Sequence, residues 1–311
     1  SEPQVSKNTC PGPASVPREF LGPSKAWLNP SLLMMVAATV IVAISTVGYW
    51  LWHWYSWVCF CMNVLALHLA GTVIHDASHN SAHKNKVMNA VLGHSSALML
   101  GFAFPVFTRV QHHANVNAPK NDPDHFVSTG GPLWLVAARF FYHEFFFFQR
   151  RLWRKYELLE WFLSRAFLVA IVLIAIHYDF IGFIMNYWFS PALVVGLALG
   201  LFFDYLPHRP FEERDRWKNA RVYPSKLLNW LILGQNYHLV HHLWPSIPWY
   251  KYEPAYVAVK PLLDSKGSPQ SLGILEKKKD FWGFIYDIFL GIRLHHGPKE
   301  EKGKKKKQEK A

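Results

Sequence analysis

Two long stretches without a single Lys or Arg decide what this chain can fold into. No basic residue lies between Lys25 and Lys84, and none between Arg165 and Arg209. Both stretches are dominated by apolar residues, and each has a polar or aromatic step inside it, at 53–57 in the first and 177–190 in the second. Each half is then about the ~20 residues a helix needs to cross a hydrocarbon core. Backbone polar groups find no water in lipid, so these segments must satisfy themselves as helices. We expect four spans, near 33–52, 57–74, 167–187 and 190–206.

The charge lies on one side of this pattern. Lys and Arg precede the first span, fill the segment between the second and third, and follow the fourth. Cytoplasmic segments carry that excess, so both termini and both long polar segments are expected in the cytoplasm and the two short hairpin tips outside. The net charge of +12 then reads as a topology signal with attraction to anionic headgroups. No basic segment sits on a recognisable nucleic-acid-binding module, which sets that class aside. Shorter apolar stretches at 91–107, 133–148, 226–234 and 281–291 are broken by Pro or charge. They predict helices lying in the membrane interface as a cytoplasmic cap.

The expected organisation is a flexible cytoplasmic N-terminal segment (1–30), an integral-membrane domain (31–296) and a disordered basic tail (297–311) containing Lys304 to Lys307. The first 30 residues lack the apolar core of a secretory signal. Cys10, Cys59 and Cys61 imply no disulfide framework and read as packing thiols. The fold class is an all-α membrane protein: four transmembrane helices with a cytoplasmic helical cap that carries a histidine-rich di-metal site.

That last expectation rests on the 17 histidines, most of which cluster. His75 and His79, at the end of the second span, sit on one face of a continuing helix and can grip one ion. His83 extends the row by another turn. His238, His241 and His242 repeat the geometry at i, i+3 and i+4, His112 and His113 are adjacent, and His208 follows the fourth span directly. Imidazole suits iron, zinc, copper or nickel. The cluster exceeds what a four-coordinate structural zinc needs, so two metals are the economical reading. A metal-binding or transporting protein without catalysis would line mid-membrane with ionisable residues; these spans are nearly free of them. His53, His68, His94, His177, His295 and His296 read as ordinary polar side chains.

Three histidine motifs, His75-Asp-Ala-Ser-His79, Gln111-His-His113 and His238-Leu-Val-His-His242, occur together with Tyr205-Leu-Pro-His-Arg-Pro210. In them the chain resembles the membrane fatty-acid desaturase and hydroxylase superfamily. The longer runs Asn121-Asp-Pro-Asp-His-Phe126 and 234–249 are similar to the cyanobacterial β-carotene hydroxylases. That resemblance implies two non-haem iron ions, O2 as co-substrate, and hydroxylation of β-carotene at ring C3 to cryptoxanthin and zeaxanthin. It implies iron ligation by His75, His79, His112, His113, His208, His238, His241 and His242. A hydrocarbon C–H bond offers no acidic proton, so an oxidising metal centre must supply the reactivity. Asp76 and Asp204 are expected to accept the outer N–H of liganding imidazoles and fix their tautomers, with polar helix caps as the alternative. His83 is expected beside the ligands rather than among them.

The second motif departs from the family pattern, which has a further histidine three or four residues earlier; here those positions hold Arg109 and Thr108. Either the loop absorbs the change, His83 or water substitutes, or activity is impaired. A β-carotene ketolase and an acyl-lipid desaturase are the sibling alternatives, because function on a shared fold lies in the substrate cavity. No nucleotide, flavin or haem motif is visible. Electrons are therefore expected from an acidic ferredoxin-like donor docking at Arg150, Arg151, Arg154 and Lys155, or at Arg209, Arg214 and Arg216.

Overall fold

The computed structural model describes residues 16–110, 116–118 and 120–291. His112, His113, Cys10 and the basic tail lie outside the described residues. Among those described the chain is helical, without a strand.

Four helices are long and apolar enough to cross a membrane: α1 (Pro30–Trp50), α2 (Ser56–Ser78), α8 (Glu157–His177) and α9 (Ile181–His208). Asn29 starts α1 by accepting the Leu32 N–H at 2.9 Å, and Pro30 fills the first helical position, where no N–H is needed. The Asn29 amide also donates to the Ala82 carbonyl at 2.8 Å, which ties the start of α1 to the loop beyond α2. The start of α1 and the end of α2 therefore share one end of the bundle. The start of α8 and the end of α9 belong to a second hairpin of the same kind.

Between the hairpins run α3 (Lys86–Leu100), α4 (Phe104–Arg109), α5 (Pro123–Thr129), α6 (Val136–Arg139) and α7 (Tyr142–Gln149). Gly101, at φ 82°, ends α3 and re-aims the chain into α4, so the apolar stretch 91–107 is two helices rather than one. After α9 come α10 (Lys226–Leu231), α11 (His238–Leu243), α12 (Tyr252–Lys266) and α13 (Lys278–Phe289). Exposed Leu227 and Trp230 on α10 and Trp282 and Phe289 on α13 are the aromatic and aliphatic faces expected of helices at headgroup depth. Buried Leu239, Val240, Tyr252, Ala255 and Leu263 form the core that joins α11 to α12.

The first hairpin follows the sequence expectation closely, whereas the second is shifted. α8 begins at Glu157, well before the expected 167, because the charge that argued against an earlier start is neutralised. Arg165 forms an ion pair with Glu144 of α7 and donates to the Gly101 carbonyl at 3.0 Å. The chain reverses at 178–180, where Asp179 adopts φ 57°, so residues 181–187, expected to close the third span, open α9 instead.

Within α9 the backbone widens to π geometry at Met185–Phe189 and Gly200–Tyr205, each time just before a proline, Pro191 and Pro207. Proline brings no N–H to the carbonyl four residues earlier. At Pro191 that carbonyl is Tyr187 O, and Asn63 of α2 reaches across to donate to it at 2.8 Å. A polar side chain inside the membrane thus repairs what the proline removes.

Of the N-terminal segment expected to be flexible, residues 16–30 are described, and they are packed. Val16 is buried in the α11–α12 core, Gly22 N–H donates to Ser246 O at 3.0 Å, and Ser24 N–H donates to the Tyr250 hydroxyl at 2.7 Å. Residues 16–30 are a strap packed across the cap.

Candidate metal centre

α2 does not stop at the expected membrane boundary. It runs to Ser78, with His79 as its C-terminal cap, so His75 and His79 project from one face at its end with ring centroids 5.3 Å apart. α11 meets them. The helix is short, but its histidines divide by position: His238 and His242, four apart, share one row, and His241 points around the helix to another side. His241 joins His75 and His79, at centroid distances of 4.3 and 4.8 Å. His238 and His242 join His208 from the end of α9, at 5.0 and 4.7 Å. In each trio the ring nitrogens that could bind an ion lie within 4.8 Å of one another.

The second trio supplies the sharper test. His208 Nδ1–H donates to the Asn219 carbonyl at 2.8 Å, and His238 Nδ1 lies 3.3 Å from Gln235 Oε1. Their Nε2 atoms then carry lone pairs, yet Nε2 of His238 stands 3.1 Å from that of His208 and 2.8 Å from that of His242. Lone pairs aimed at each other repel. Imidazole nitrogens bound at ~2.1 Å to one ion stand roughly 3 Å apart at right angles, which matches this spacing. A neutral all-nitrogen donor set of this kind fits iron, zinc, copper or nickel.

The first trio has its own supports. His241 Nδ1 lies 3.0 Å from the hydroxyl of Tyr252, which is fully buried. Burial, and secondarily the Asp76 carboxylate, hold the Tyr252 phenol well above its usual range, so it stays neutral. Asp76 is itself buried: Oδ2 accepts the Trp249 N–H at 3.1 Å, and Oδ1 lies 3.7 Å from His75 Nδ1. Asp76 thus stands beside His75 while anchoring the turn before α12. Asp204 is buried and lines the cavity beside the trios.

His83 is corrected. Its Nδ1 accepts the Asn85 N–H at 3.0 Å and its Nε2 donates to the Trp27 carbonyl at 2.9 Å. Both ring nitrogens are spent on backbone, so His83 neither binds beside the trios nor replaces a missing histidine. Arg109 is likewise spoken for, its Nε donating to Glu157 at 2.9 Å, and Thr108 donates to the Pro105 carbonyl at 3.0 Å. His68 donates to Leu231 O at 3.0 Å and His94 pairs with Glu160, as ordinary polar side chains do.

Sequence reasoning missed Asn219, Gln235 and Tyr252. Only Gln235, three residues before His238, had a positional cue. It also passed over His143, whose Nε2 lies 2.5 Å from Asp124 Oδ1 on the cavity wall.

The trios open onto a largely apolar cavity of about 610 Å³. His75, His79 and His238 line one end; Leu168 and Val172 of α8 and Ile184, Trp188 and Gly196 of α9 line the rest. Its walls include both Ile181 and Phe203, positions separated along α9 by roughly 30 Å at the helical rise. The cavity is a slot about as long as the membrane core is thick.

Two facing trios of imidazoles that could each hold a metal ion thus stand at one end of four helices long and apolar enough to cross a membrane, beside a largely apolar cavity. The chain belongs to the fatty acid desaturase family, whose family model matches residues 52–272. It is similar to dihydrorhizobitoxine desaturase of Bradyrhizobium elkanii, 28% identical over 218 residues, covering 58% of this chain and 60% of that protein. It is similar to β-carotene ketolase of Paracoccus sp. (strain N81106 / MBIC 01143), 29% identical over 192 residues, covering 58% of this chain and 70% of the ketolase. A chloroplastic omega-6 fatty acid desaturase of Arabidopsis thaliana is 26% identical over 225 residues, covering 60% of this chain and 49% of the plant protein. The chain thus spans less than two thirds of the first and third of these relatives.

Proposed function

We propose that this protein is a di-iron, O2-dependent membrane monooxygenase that hydroxylates β-carotene at ring C3, giving cryptoxanthin and then zeaxanthin. The observation that carries the reading is the pair of histidine trios at the end of an apolar slot of membrane length. An acyl chain needs only part of such a slot, while a rod-like polyene with a ring at each end needs its whole length. In this reading His75, His79 and His241 hold one ion, His208, His238 and His242 the other, and His112 and His113 complete the set. Bound iron supplies the oxidising power that an unactivated C–H bond requires.

The chain's own residues do the rest. Leu168, Val172, Ile184 and Trp188 hold the polyene by apolar contact and exclude water, so that one ring carbon is presented to the trios and its neighbours are not. Asn219 O, Gln235 and Tyr252 keep the imidazoles oriented. One oxygen atom enters the C–H bond as hydroxyl; the other leaves as water, with two electrons and two protons consumed. An acidic ferredoxin-like protein supplies the electrons, docking on exposed Arg150, Arg151, Arg154 and Lys155 or on Arg214 and Arg216. Arg209 is withdrawn from that surface, because its side chain is mostly buried against Asp280. The trios and the basic segments are assigned to the cytoplasmic side, in the plasma or thylakoid membrane of a cyanobacterium.

Oxidation at C4 is the second reading, favoured by the similarity to Paracoccus β-carotene ketolase. Expression in cells that accumulate β-carotene, followed by pigment analysis, separates them. Cryptoxanthin and zeaxanthin are expected; ketocarotenoids alone would move the assignment to C4. Unsaturated acyl lipids without any oxygenated carotenoid would move it to a desaturase.

A further inference from the structure

The turn that leads into α12 lies outside every histidine motif, yet it reaches the first trio at two points. Trp249 donates its backbone N–H to Asp76 Oδ2 at 3.1 Å, and Asp76 Oδ1 stands 3.7 Å from His75 Nδ1. Three residues later, the Tyr252 hydroxyl lies 3.0 Å from His241 Nδ1. Gly234 makes the approach possible. At φ 81° it has no Cβ, and one placed there would stand 2.8 Å from Tyr252 Cδ2 and 2.9 Å from the Trp249 carbonyl. The second trio is supported differently, by the Asn219 carbonyl and the Gln235 amide oxygen.

We infer that Tyr252 is a positioning residue for one metal site only, that of His75, His79 and His241. An imidazole can turn about its Cβ–Cγ bond and present either nitrogen. With Nδ1–H held by the Tyr252 oxygen, only Nε2 of His241 is left to face His75 and His79. Truncating the phenol removes the contact that selects this orientation, so the ring can offer Nδ1 instead, displaced from the position the other two histidines require. This inference rests on the di-iron reading.

The test is iron stoichiometry, Mössbauer spectra and the rate of iron loss to a chelator, measured on the purified, iron-loaded protein and its Tyr252→Phe variant. Tyr256→Phe is the control: it removes a phenol from the same helix that bonds Gln270 at 2.7 Å. Wild type and Tyr256→Phe are expected to hold two irons. Tyr252→Phe is expected to keep one with its original signature while the other is altered or lost, with affinity at that site down roughly 10- to 100-fold. Two irons with unchanged spectra and unchanged loss rate in Tyr252→Phe would overturn the inference. Loss of both irons together would overturn its restriction to one site. Failure of wild type to hold two irons would instead overturn the di-iron reading.

Discussion

Asn63 and Tyr187, 124 residues apart, are joined by a 2.8 Å hydrogen bond from the Asn63 side-chain amide to the Tyr187 carbonyl. The bond links α2, which carries His75, to α9, which carries His208, at the place where Pro191 leaves a carbonyl unserved. Replacing Asn63 by Leu should cost about 1–3 kcal/mol, the penalty for a buried carbonyl left without a donor. Thermal unfolding in detergent checks this, and an unchanged midpoint would mean that the carbonyl finds another partner.

The two trios should separate by mutation. His79→Ala and His238→Ala remove ligands from different clusters, so each is expected to abolish binding of one iron first. Their Mössbauer spectra should be complementary, each retaining the signature that the other has lost. Identical spectra in both variants would mean that the six imidazoles act as one site.

Ala192 lines the slot on α9. Ala192→Phe should obstruct a long substrate and lower carotenoid turnover by at least on the order of tenfold, since small misplacements of a reacting carbon are costly. Iron content should stay as in wild type, because the trios are untouched. Normal turnover would mean that the polyene runs elsewhere.

How much of this was legible beforehand varied with the range of the interaction. The i, i+4 spacing of His75 and His79 and the HxxHH of 238–242 marked these histidines as candidate ligands, because helical periodicity decides which side chains share a row, but their division into two trios, with His241 parted from His242, depends on tertiary packing. The start of α8 was hidden, because Arg165 is neutralised by Glu144 from another helix. Tyr252 and Asn219 were hidden for the same reason, as each meets its histidine only through folding. His83 was over-read: its spacing is right for the row, but the chain leaves the helix at His79 and turns His83 toward Trp27.

Removing iron should loosen the cap. Ligand binding to the folded state alone stabilises by about 4 kcal/mol at a thousandfold excess over the dissociation constant. Because His208 belongs to α9 and His238 and His242 to α11, the chelator-treated protein is expected to unfold at lower temperature. Proteolysis within 219–252 should quicken at the same time. Equal stability with and without iron would show the cap to be held by its apolar core alone.

Charge reversal at Arg214 and Arg216 should slow reduction by an acidic donor at low salt and have little effect at high salt, because exposed charges act mainly on encounter. The same reversal at Arg209 should instead destabilise the fold, since that side chain is mostly buried against Asp280. Salt-independent reduction in the Arg214 and Arg216 variants would assign docking to another surface.

His241 and His242 are neighbours in sequence, yet they serve different trios. One peptide unit is therefore the bridge between the two sites, and it works as a ruler. In the di-iron reading, the separation of the two ions is therefore written in part into two consecutive residues.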